Sequence, residues 1–194
     1  MSTIPLWFKV LYTAGVLALV AIYWVRYTPV NFLWFSDIAL IGAVPAMWLD
    51  SAWLAGVLNV AVLVPEILWN VDYAARLRLR RRITGLTEYM FDERIPLWLR
   101  ALSLFHVPLP FVLLWMLYAY GYVDSALWGA VGMALVVLPL SYVLGTPEKN
   151  INWVYGPARL QTTFHPLAYL GLLAMGFVVV VFLPTHLLIR TLFD

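Results

Sequence analysis

The sequence predicts an all-α fold: a polytopic transmembrane helical bundle of about six spans, forming one domain over residues 1–194. Three observations carry that prediction. Of the 194 residues, 64% are hydrophobic and only 11% are charged, whereas a water-soluble domain carries about a quarter charged residues. Six apolar runs approach or exceed the roughly 17–25 residues that cross the hydrocarbon layer as helix. Between them lie short stretches of turn chemistry, "YTPVN", "LDSA", "YGYVDS" and "GTPEKN".

The runs fall at about 6–25, 33–49, 53–72, 97–119, 126–144 and 167–189. The first is expected to be a retained span and not a cleaved signal. No basic segment precedes it, and bulky Tyr23, Trp24 and Val25 stand where cleavage requires small residues. The second starts near Asn31 and ends at "LDSA"; the third ends in "VPEILWNVDY". In the fourth, Pro108 and Pro110 predict a kink just beyond His106, because proline removes a helix hydrogen bond. The fifth and sixth flank "GTPEKNINWVYGPARLQTTFHP". Helices are expected over membrane strands, which are about ten residues long and alternate in polarity.

Orientation is read from the basic residues of short loops. The connection over 73–96 holds Arg76, Arg78, Arg80, Arg81, Arg82 and Arg94, which predicts a cytoplasmic position. Alternation puts Arg26, Lys149 and Arg159 on that side and both termini on the other, where the loops offer Asp50 and Asp124. Trp24, Trp34, Trp48, Trp53, Trp69, Trp98 and Trp128 fall near span ends, as an aromatic belt requires.

The net charge of +2 gives no basis for a nucleic-acid partner, and the absence of Cys removes disulfides, thiolate metal sites and cysteine nucleophiles. No phosphate-loop, dinucleotide or hydrolase-elbow motif is present. What remains is a set of polar residues at one depth. Glu66 and Asn70 lie one turn apart in the third span, with Asp72 just beyond, and Asp37 lies near the start of the second. Arg100, Ser103 and His106 open the fourth, and the loop after the fifth supplies Glu148, Asn150, Asn152 and His165. Ionisable groups inside a membrane face the bundle interior and find partners, so these residues predict a polar pocket near the cytoplasmic interface. Glu66 would be tolerated there because Arg100, His106 or a ligand faces it, while Asp72 could pair with Arg76 at i+4.

His106, Glu66 and Asp37 are the catalytic candidates, with the histidine as general base or ligand and the carboxylates orienting it. Asn70, Asp72, Arg100, Ser103, Glu148, Asn150, Asn152 and His165 are the candidates for binding a polar headgroup. Ser103 and His106 on one helix lean in the same direction, which is poor geometry for a nucleophile and its base. A divalent metal on His106, His165 and two carboxylates is chemically sound, but no ligand-spacing motif specifies one, so the cofactor is unknown. A spacing P-E-x3-N-x2-Y recurs at Pro65–Tyr73 and Pro147–Tyr155, a faint internal echo.

"NFLWFSDIAL", "VPEILWNVD", "LSLFHVPLPF" and "PEKNINWVYGP" resemble a family of polytopic bacterial integral membrane proteins to which no activity is attached. That resemblance implies a bacterial cytoplasmic membrane. The overall plan is also similar to the androgen-induced fatty-acid-ester hydrolases, which pair a Thr with a His inside a helical bundle. The similarity implies that His106 takes the histidine's place, whereas the second span offers Ser36-Asp37 and no Thr. The leading expectation is therefore an intramembrane hydrolase or transferase acting on a lipid-like substrate, with membrane lipids as partners and self-association left open. Two readings from other classes stand beside it: a small transporter or transporter subunit, and a non-catalytic assembly or lipid-binding protein.

Overall fold

The computed structural model describes residues 3–157 and 160–193, and all regular structure among them is helical. Arg159, assigned above to the basic side, lies outside the described residues. Eight α-helices make six passes. They are α1 (Leu6–Arg26), α2 (Phe35–Trp48), α3 (Ala52–Leu79), α4 (Leu97–Leu102) continuing into α5 (Leu109–Tyr120), α6 (Ala126–Leu144), and α7 (Pro166–Gly176) continuing through a π-helical stretch, Phe177–Phe182, into α8 (Leu183–Phe193). Five passes are long and apolar enough to cross a membrane, and α2 is a shorter apolar helix. The chain is an integral membrane protein by the length and composition of these helices.

The α3 helix is the central post. In its most apolar stretch 61% of residues are buried inside the protein, against 22% for α1, and it packs on α2, α5, α6 and α8. It starts cleanly because the Ser51 hydroxyl accepts the Leu54 N–H at 3.2 Å, satisfying one of the donors that a helix start leaves open. It runs seven residues past the expected end at 72, so Tyr73–Leu79 of the basic connection are helical, and Arg80 closes it in a left-handed turn at φ 52°. Small residues let α6 approach it closely. A Cβ on Gly56 would stand 2.7 Å from that of Ala126, and one on Gly129 would collide with the Val57 and Trp53 side chains. Two turns into α3, the Asn59 amide donates to the carbonyls of Ala55 and Leu113, both at 2.9 Å, joining α3 to α5.

Two passes carry local irregularities. At 14 residues, α2 lies within two residues of the expected run but is only about 21 Å long, short of the ~30 Å hydrocarbon layer. A 3-10 turn at Pro29–Leu33 leads into it. The fourth pass breaks at Ser103–His106, which is 3-10 helix, and resumes as α5 at Leu109. The break precedes the prolines: neither Pro108 nor Pro110 can donate a backbone hydrogen bond, and the chain tightens just before them.

The bundle therefore has two different ends. Arg26, the segment 76–100 and Lys149 share one, bound together by cross-contacts that include Arg26 over the Trp98 ring and Lys149 Nζ to Thr28 Oγ1. The opposite end holds the Lys9–Asp50 pair at 2.6 Å and the Tyr122–His186 hydrogen bond at 2.6 Å. Replacing Gly129 by Leu should separate α6 from α3 at a cost of about 1–3 kcal/mol, the usual range for overpacking. A melting curve of the detergent-solubilised variant checks this, and an unchanged midpoint would contradict the tight α3–α6 contact.

Candidate functional site: a buried carboxylate and imidazole pair

Pro65 lies inside α3, and the residue after it, Glu66, is 1% exposed. A carboxylate at such a position demands a partner. His106 supplies it, with Nδ1 2.8 Å from Glu66 Oε2. Of the partners anticipated for Glu66, the structure selects the imidazole and not Arg100. The ring lies between two aromatic faces, Trp69 at 4.5 Å and 20° and Phe105 at 4.1 Å and 25°. The Asn70 amide then fixes the turn that carries the histidine, donating to the His106 carbonyl at 2.7 Å and the Glu66 carbonyl at 2.9 Å. Asn70 is thus a clamp between α3 and the 3-10 turn.

The two edges of the imidazole differ. Nδ1 faces the carboxylate, whereas Nε2 has no hydrogen-bond partner among the described residues and is not sealed from the surface. The side chain as a whole is 12% exposed. A carboxylate on one nitrogen with the other nitrogen accessible is the arrangement that sets a single tautomer and leaves a lone pair outward.

Around the pair lie hydroxyls and an indole. Trp69 Nε1 donates to Tyr89 Oη at 3.2 Å, and Ser103 Oγ is 3.3 Å from Tyr23 Oη. Tyr89 sits in the 3-10 turn Glu88–Phe91, where burial pushes its phenol up to about 12, so it stays neutral. Ser103 and His106 come onto one face because side chains three apart eclipse in a 3-10 helix, yet the serine hydroxyl engages Tyr23 and not the imidazole. Trp69, read above as part of the interfacial belt, is 5% exposed and belongs to this cluster. Tyr23, Tyr89 and Phe105 were not anticipated, since aromatic residues in an apolar run give no sequence signal that separates packing from a polar site.

The other anticipated residues divide. Asp37 is 4% exposed; its Oδ2 receives a single long hydrogen bond from Asn31 at 3.4 Å and its Oδ1 receives none. No hydrogen bond joins it to Glu66 or His106 among the described residues. Asp72 does not pair with Arg76, whose guanidinium lies 5.2 Å over the Phe91 ring. Instead it gathers the backbone N–H groups of Ile83, Thr84, Gly85 and Thr87 and the Thr87 hydroxyl, at 2.7–3.3 Å. Arg100 donates from Nη1 to the Met90 carbonyl at 2.9 Å and leaves Nε unpartnered.

The loop residues build the loop. Asn152 accepts from Phe35 N at 3.3 Å and donates to Leu33 O at 2.7 Å and Ser141 Oγ at 3.2 Å. Asn150 donates to Gly156 O and accepts from Tyr155 N. Glu148 and His165 are exposed and lie apart from the pair; a Thr146 hydrogen bond holds the Glu148 carboxyl below its usual range. The echo between Pro65–Tyr73 and Pro147–Tyr155 has no structural counterpart. One copy is interior helix with a buried carboxylate, and the other is a turn with Asn150, Asn152 and Trp153 at positive φ.

Among the described residues no group of three or more His, Asp or Glu side chains is disposed to hold a metal. Two shallow grooves open on the surface, of about 430 and 330 Å³, and neither is lined by Glu66 or His106. No family model, curated protein or solved structure matches the chain.

Asp72→Ala should release the 83–87 segment while leaving the bundle folded. Hydrogen exchange would show faster exchange at the amides of Ile83, Thr84, Gly85 and Thr87 and unchanged protection in α3. Uniform exchange in both proteins would remove Asp72 from the role of loop anchor.

Proposed function

We propose that the protein is an intramembrane enzyme that hydrolyses an ester-bearing lipid or similar amphiphile, with His106 as general base and Glu66 as the group that orients it. The observation that carries this reading is the asymmetry of the imidazole, with Nδ1 held by a buried carboxylate and Nε2 without a hydrogen-bond partner among the described residues. In the reaction, His106 Nε2 takes a proton from water as the oxygen adds to the ester carbonyl. The protonated imidazole, stabilised by Glu66 and by the flanking aromatic faces, returns that proton to the departing alkoxide as the carbon–oxygen bond breaks. Water is assigned as the nucleophile because no side-chain hydroxyl among the described residues is hydrogen-bonded to His106. Ser103 stays with Tyr23, and Tyr89 is a neutral support for Trp69.

The similarity in plan to the fatty-acid-ester hydrolases favours ester chemistry, with water in the role that their Thr would take. The basic end, rich in Arg between 76 and 94, is assigned to the cytoplasmic side of a bacterial cytoplasmic membrane, and both termini to the opposite side. The competing reading, a non-catalytic clamp between α3 and the 3-10 turn, is favoured by the two hydrogen bonds of Asn70 that close the same junction.

The two readings predict different outcomes for His106→Gln. The amide can still reach Glu66 but has no base, so the enzyme reading expects the variant to fold and lose at least a hundredfold in hydrolysis of a short-chain ester lipid, within the usual contribution of general base catalysis. Glu66→Gln should lose a smaller factor. Hydrolysis equal to wild type in a folded His106→Gln protein would leave the clamp.

A further inference from the structure

At the basic end α1 and α4 form a seam. Tyr23 and Ser103 meet on its inner side, and at its outer edge the Arg26 guanidinium lies 5.3 Å from the centre of the Trp98 ring. Beside that contact is a groove of about 330 Å³ lined by Ala21, Ile22, Val25, Arg26 and Trp98. Its floor is apolar and its rim is cationic. Arg26 forms an ion pair with no carboxylate among the described residues, in contrast to Lys9, Arg82, Arg94 and Arg190, which each have one. A second cation without a carboxylate partner among the described residues, Lys149, is pinned to the same helix end by its 2.8 Å hydrogen bond to Thr28, two residues beyond Arg26.

We propose that this groove seats one anionic phospholipid, its phosphate against Arg26 with Lys149 alongside, and an acyl chain along Ala21, Ile22 and Val25. Charge complementarity commits the site to this occupant. The Arg26 guanidinium, without a carboxylate partner among the described residues, stands at the rim of an apolar slot, and Lys149 is tied to the turn two residues beyond it; this matches a headgroup with net negative charge and gives no such advantage to a zwitterionic one. The Trp98 ring holds the guanidinium by its face and is the side chain expected at headgroup depth. The site is separate from the His106 pair and stands whether or not that pair is catalytic.

Native mass spectrometry of the full-length protein, exchanged into phosphatidylglycerol or into phosphatidylcholine of the same acyl chains, tests the site. One retained phosphatidylglycerol is expected, with much weaker retention of phosphatidylcholine and no displacement by inorganic phosphate. Arg26→Gln should weaken retention about fivefold, the scale of one basic residue near an anionic surface, and adding Lys149→Gln should weaken it further. Val25→Trp fills the slot without changing charge and should also expel the lipid, which keeps the test decisive if the arginine variant does not fold. Arg78→Gln, in the basic segment away from the groove, should retain the lipid as wild type does. Equal retention of both lipids, displacement by free phosphate, or a loss in Arg78→Gln as large as that in Arg26→Gln would overturn the proposal.

Discussion

The requirement that a carboxylate inside the bundle have a partner organises the basic end of this protein. Glu66 is on the most buried helix, and a charge or dipole left unmatched there would cost more than any single packing contact returns. Its pairing with His106 dictates that the fourth pass come close to α3 at that level. The break in that pass follows. An uninterrupted helix from Leu97 to Tyr120 would carry residue 106 on at the α-helical pitch, whereas the 3-10 turn and the two prolines bring the histidine, its carbonyl and Ser103 to face α3 and α1 together. Asn70 and Trp69 then meet the same turn from α3 with an amide and a ring.

The loops at this end behave as built parts and not as slack connections. Asp72 collects four backbone N–H groups, and Asn152 links the start of α2 to α6 through three hydrogen bonds. Each satisfies backbone groups that lipid could not. The opposite end is joined by two ion pairs, Lys9–Asp50 and Arg190–Asp124, and by side-chain hydrogen bonds that include Tyr122–His186 and Trp48–Thr13.

The helical passes were legible because membrane solvent imposes length and apolarity directly on sequence. The boundaries of α1 and α6 agree with the apolar runs to within a residue or two. The end of α3 was not legible, since Tyr73–Leu79 is held helical by Asp72 and the loop it anchors and not by an apolar run. The common depth of Glu66, Asn70, Ser103 and His106 could be read from topology alone. Which of them touch could not be read, because the answer depended on a local switch from α to 3-10 geometry. Asn150 and Asn152 looked like ligand groups for the same reason they serve the loop: an amide can both donate and accept, and asparagine tolerates the left-handed backbone found at both positions.

Asn152 also bears on how the chain comes to be assembled. Its partners Leu33 O and Phe35 N lie 119 and 117 positions earlier. Those two backbone groups therefore leave the ribosome long before the side chain that satisfies them, and α2 enters the bilayer with its first turn open. The early helices can insert one by one, but the start of α2 cannot reach its final hydrogen bonding until α6 and the loop after it have been made. The last step of assembly is then the closing of the basic end by a segment from the far part of the chain, so a polypeptide truncated before residue 152 would hold its early helices with that end unfinished.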